Sequence, residues 1–159
     1  MTVTFPGKPA VQVKIFLGDC AQTHAGNERP SDLLNGSDSF FPATDTQDGI
    51  MFIHRDALNL LSVNAGIEFH EEVFRAETVA TRQSARIDVE VELEDGTRIE
   101  GIISYLMPEN QRRLQDVLNL EDRFLILRDG DEALLINKRR IARIAPKPVQ
   151  VQETAVGED

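Results

Sequence analysis

The chain has 159 residues, of which 41% are hydrophobic and 28% charged, and its formal charge is −10. That is a globular mix of about one domain in size, and the excess of acid argues against a broad electrostatic grip on nucleic acid or an anionic membrane. The single cysteine, Cys20, excludes an intramolecular disulfide framework and a Cys-based zinc site within one chain. No apolar run approaches the length of a membrane helix, and the opening residues lack the basic and apolar regions of a secretory signal. A soluble, cytoplasmic protein with no membrane partner is therefore expected.

In chain order, Val3, Thr4 and Phe5, a Pro6-Gly7 turn and residues 11–17 read as an opening hairpin. A short helix follows near Arg29, with Pro30 at its first position or Ser31 as its cap and the pair Asn35-Gly36 as its stop. Residues 65–85 connect to the next unit; the period of Ile67, Phe69, Val73 and Phe74 fits strand and helix equally. Ile87, Val89, Val91 and Leu93 alternate with acids, the period-2 pattern of a half-buried strand. Glu94-Asp95-Gly96-Thr97 is a hairpin turn, and residues 98–106 return as a second strand. Leu114, Val117 and Leu118 fall on one face of a short helix. Residues 124–128 and 133–137 flank a turn at Asp129-Gly130, with Ile141 and Ile144 in a closing strand or turn. Residues 146–159 read as a flexible acidic tail.

The chain repeats itself. Arg29, Asp32, Leu34, Asn35, Asp38 and Phe40 recur without a gap as Arg113, Asp116, Leu118, Asn119, Asp122 and Phe124. After one residue is gained or lost in a loop, residues 51–58 match residues 134–141 in their apolar positions. Duplication of one small module explains this best. The division is then a first β-module at 1–64, a connection at 65–85, a second β-module at 86–145 and a tail at 146–159. Within the repeated motif, Arg29, Asp32, Leu34 and Asn35 with Arg113, Asp116, Leu118 and Asn119 are expected to be structural. Leu34 and Leu118 should be buried in equivalent places, and Asp32 and Asp116 should serve as capping carboxylates.

Residues 89–103 of the second copy, with Gly96 in the turn and Gly101 at a strand bend, resemble the first half of the Sm-like family, including its bacterial RNA-chaperone branch. Residues 124–127 and 133–144 are similar to that family's remaining strands. The resemblance implies a small, strongly bent five-stranded barrel, and SH3-like barrels share the pattern. This chain departs from the family in the helix-bearing insertion at 107–123, in lacking a helix before Ile87, and in carrying two divergent copies. The fold class expected is mainly β: two tandem Sm/SH3-like β-barrels or half-sandwich modules, each with a short inserted helix. The family's RNA activity is not carried over.

Chemistry is sparsely supplied. Lys138, Arg139, Arg140 and Arg143 form the one dense basic run, with Arg112 and Arg113 as possible neighbours. Tyr105 is the only tyrosine and there is no tryptophan, so a stacking platform is poorly furnished. His24, His54 and His70 have no metal-ligand spacing, and neither a phosphate loop nor a nucleophile elbow occurs. No catalytic residue, metal or cofactor is assigned. Three readings stand. The first is a non-enzymatic interaction or regulatory module that pairs through strand edges with a protein partner or itself, as a homodimer. The second is RNA or single-stranded nucleic-acid binding through the basic region 112–143. The third is a small-ligand or enzymatic site between the copies, involving Asp32 and Asp116.

Overall fold

The computed structural model describes residues 1–69, 84–106 and 114–148. The first half runs β1 (Thr2–Thr4), β2 (Val11–Gln12), β3 (Lys14–Ile15), α1 (Pro30–Asn35), β4 (Phe40–Thr44), β5 (Ile50–His54), a 3-10 turn (Arg55–Ala57), β6 (Leu60–Asn64) and α2 (Ala65–Glu68). The second half runs β7 (Ser84–Leu93), β8 (Arg98–Leu106), α3 (Leu114–Leu118), β9 (Phe124–Asp129), β10 (Glu132–Asn137), a 3-10 turn (Lys138–Arg140) and β11 (Ile141–Pro146). The protein is mainly β, with every described strand pair antiparallel.

The period-2 pattern of β7 places Val89, Val91 and Leu93 in the interior and leaves Asp88 exposed. Gly96 takes a φ of 87° in the β7–β8 turn, a conformation open to glycine without strain. Gly101 has a different reason. A Cβ there would lie 3.0 Å from the Leu127 Cβ and 3.1 Å from the Arg128 carbonyl, so any side chain at this position would have to push β9 back where β8 passes close to it. The opening hairpin forms as expected, except that its second strand breaks at buried Val13. β2 stays with β1 while β3 turns away to pair with β4.

The strands form an eight-stranded sheet, in the order β11-β7-β8-β9-β10-β6-β1-β2, and a three-stranded sheet, β3-β4-β5. Two closed barrels do not form, because β10 does not return to β11 of its own half. It pairs instead with β6 of the first half, from Glu132 opposite Asn64 to Ile136 opposite Leu60. Since β2 and β3 are nearly continuous, the outer strands among the described residues are β5 and β11.

Two cores follow from this junction. One gathers Val3, Val13, Leu34, Phe41, Ile53, Leu58 and Leu61 from the first half, and extends over Phe124, Ala133 and Leu135 of the second. The other gathers Val89, Val91, Leu93, Ile103, Val117, Leu125, Leu127, Leu134 and Ile136. Each large aliphatic side chain fully withdrawn from water contributes about 1.5–3 kcal/mol. The opposite faces of β9 and β10 thus serve different cores. The closing strand β11 extends through Pro146, and the Lys147 N–H donates to the Asp88 carbonyl at 2.7 Å. Residues 149–159 of the expected tail and 70–83 of the connection lie outside the described residues.

Candidate interaction surface

The basic run is largely engaged with its own chain. Lys138 Nζ donates to the Leu120 carbonyl at 3.0 Å, and burial lowers its pKa from the usual lysine value. Arg139 reaches the Asp56 carboxylate at 3.2 Å, while Arg140 donates to the Asp56 carbonyl at 3.0 Å. Arg143 bonds Glu92 on the acidic face of β7. Arg112 and Arg113 lie outside the described residues. Arg139 and Arg143 remain exposed at the side chain, but the carboxylates beside them lower the local potential offered to a phosphate chain.

The repeated motif occupies two different settings. In α1, Pro30 takes the first helical position and the Asp32 carboxylate accepts from the Arg29 N–H at 2.8 Å, closing the helix start. The same oxygen lies 2.6 Å from His24 Nε2, and this hydrogen bond raises the histidine pKa from its usual 6.5. Leu34 is fully buried, and Asn35 accepts through Oδ1 from the Phe124 N–H at 2.9 Å, tying α1 to β9 in the other half. In α3, Leu118 is only half-buried, which corrects the expectation of equal burial. Asn119 is exposed and bonds back to the Gln115 carbonyl at 2.7 Å. The second half covers Leu34; nothing in the described residues gives Leu118 the same cover. The spacing of the motif held no sign that Asn35 joins the halves, beyond the recurrence of an asparagine after the buried leucine.

A cleft of about 490 Å³ lies between α1 and β9, lined among others by Asp32, Asn35, Asp38, Arg55, Asp122 and Ile126. Asp116 is not part of it, so the two repeated aspartates do not meet there. Arg55 is buried, donates to the Gly36 carbonyl and has its Nε without a partner; burial lowers its pKa from the usual arginine value. Nearby, buried Glu68 accepts from the Ser31 N–H at 3.0 Å, and its burial raises the carboxyl pKa. These contacts brace loops and helix ends. Among the described residues, no group of three or more His, Cys, Asp or Glu is placed to hold a metal.

The most distinctive surface is apolar and lies on the three-stranded sheet. Phe40, Ile50 and Phe52 are 57%, 74% and 69% exposed. Register sets Phe40 opposite His54, Pro42 opposite Phe52 and Thr44 opposite Ile50, so all three share one face. Phe40 meets the His54 ring edge to face at 4.7 Å. This face borders the edge of β5, which is unpaired among the described residues, and a contiguous apolar patch beside an open edge marks an interaction site. Sequence reasoning missed it, because β5 and β10 are apolar alike and pattern does not tell which of the two is covered. No family model, curated protein or solved structure matches the chain. No described helix is long and apolar enough to cross a membrane.

Proposed function

We propose that this chain is a non-enzymatic interaction module built from a duplicated small β-unit, and that it takes a protein partner on the β5 edge and its apolar face. The exposure of Phe40, Ile50 and Phe52 beside a strand edge with no partner among the described residues carries this reading. Strand addition supplies backbone hydrogen bonds, and the aromatic and aliphatic side chains supply buried area. The engaged state of Lys138, Arg139, Arg140 and Arg143 weighs against nucleic acid.

The duplication is supported by matching registers. Phe40 faces His54 as Phe124 faces Asn137, and Thr44 faces Ile50 as Arg128 faces Ala133. Lys14 faces Thr44 as Ile102 faces Arg128. At the start of each 3-10 turn, Arg55 N–H donates to the Ser39 carbonyl as Lys138 N–H donates to the Arg123 carbonyl, both at 2.9 Å. An Sm-like origin of the unit belongs to the same proposal, with no RNA activity attached.

The test is retention of partners by the immobilised full chain and by its Phe52→Lys variant, with nuclease added. With the free copies of the chain always of the same sequence as the immobilised one, the wild-type chain should hold a protein, its own copies included, and the variant should hold neither. Equal retention by both, or retention abolished by nuclease, overturns the reading.

A further inference from the structure

We infer that the partner on the β5 edge is the β11 edge of a second copy of this chain, joined head to tail in the register that β10 and β6 use inside the chain. The inference rests on the duplication proposed above. Inside the chain, one side of the junction is Phe124, Ala133 and Leu135, each no more than 2% exposed. The repeat aligns these with Phe40, Ile50 and Phe52, the three most exposed of the large apolar residues left in solvent. The other side is Leu34, Leu58 and Leu61, all fully buried. Their counterparts are Leu118, Ile141 and Ile144, all only half-buried. Two faces of the same kind are thus left without cover among the described residues, one along β5 and one along β11.

The backbone agrees. Inside the chain the Asn137 N–H donates to the Asn59 carbonyl at 2.9 Å. The Lys147 N–H turns toward β7, so antiparallel alternation leaves the Ile144 N–H and C=O and the Pro146 C=O facing the open side of β11. Carrying over the internal register sets Phe52 opposite Ile144, Met51 opposite Ala145 and Ile50 opposite Pro146. Proline lacks one donor and is tolerated at such a place because it lies on an edge.

Side chains agree as well. Asn35 caps the Phe124 N–H across the internal junction; Asn119 would stand by Phe40 of the neighbouring copy. Arg139 meets Asp56 across the internal junction. Across the outer one, the same two positions hold Asp56 of one copy and Arg139 of the next, still of opposite charge.

Because the two surfaces differ, the contact is heterologous: it builds open chains or closed rings, in place of the homodimer expected from sequence. Light scattering should find the wild-type chain larger than one copy. Phe52→Lys keeps only the β11 end and Ile144→Lys only the β5 end, so each alone should be monomeric and their mixture should give a one-to-one dimer. A second measurement guards against misfolding of Ile144→Lys. In a Cys20→Ser background, Met51→Cys and Ala145→Cys should form a disulfide when mixed and none when separate. A monomeric wild-type chain, a mixture that stays monomeric with both variants folded, or a single-cysteine variant that cross-links to itself overturns the inference. If the wild-type chain is monomeric yet captures a different protein through Phe52, the proposed function stands and this inference falls.

Discussion

β5 and β10 follow the same plan: each is the second strand of a hairpin and runs into a 3-10 turn, with apolar residues at matching positions. β10 lies in the middle of the molecule and β5 at its rim. Leu135 is fully buried because β6 and the first-half core lie against it, whereas Phe52 projects into solvent because no described strand does. The difference is made by the neighbour and not by the strand itself. Burial here is a property of the pair.

Charge placed at the two positions should separate them most. Leu135→Lys buries an ammonium in the first core and should cost at least about 4–5 kcal/mol, enough to abolish a cooperative urea transition. Phe52→Lys should stay within about 0.5 kcal/mol of wild type in dilute solution. A large loss at Phe52 would show that the rim is already covered within one chain. Leu34→Ala and Leu118→Ala come next: the first should cost about 2–5 kcal/mol and the second about 1 kcal/mol or less. Equal losses would remove the contrast between the helices. Smaller again, Asn35→Ala strands the Phe124 N–H and should cost about 1–3 kcal/mol, while Asn119→Ala should change unfolding by less than about 0.5 kcal/mol.

The smallest effect is on pH dependence. Burial raises the Glu68 pKa and the Asp32 hydrogen bond raises that of His24, so the folded chain holds these protons more tightly than the unfolded one. Their contribution is fully present below the unfolded values and is lost as pH rises through the folded ones. Asp95 has the opposite sign. Hydrogen bonds from Thr97 and Asn59 hold it at about 2, so its contribution is present above the ordinary carboxylate value and is lost as pH falls through about 2. Melting temperature against pH for Glu68→Gln should lose the decline above the carboxylate range, and Asp95→Asn should lose the acid limb. Profiles unchanged from wild type would mean that neither carboxylate senses the fold.

Local pattern reached the strands and turns and stopped at the junction. The alternation of β7, the Gly96 turn and the apolar face of α3 were legible because each depends on residues a few positions apart. The pairing of β10 with β6 was not, because it joins residues about seventy positions apart, and any exposed apolar strand satisfies the same pattern. Leu34 and Leu118 show the limit most plainly: identical residues in a recurring motif, one buried and one half-open. The close approach at Gly101 was half-legible, as a glycine at a bend whose reason, contact with Leu127, lay outside the strand.

The β10–β6 junction is made within one polypeptide, and that has a consequence for concentration. Tethering turns association into an intramolecular event at an effective concentration of the order of millimolar, so the internal junction persists at any dilution. The proposed β5–β11 contact has no such tether and obeys mass action. One type of surface would then report on two quantities: weakening its internal instance changes folding, and weakening its outer instance changes only the protein concentration at which copies meet. The abundance of the chain would set the length of the assembly.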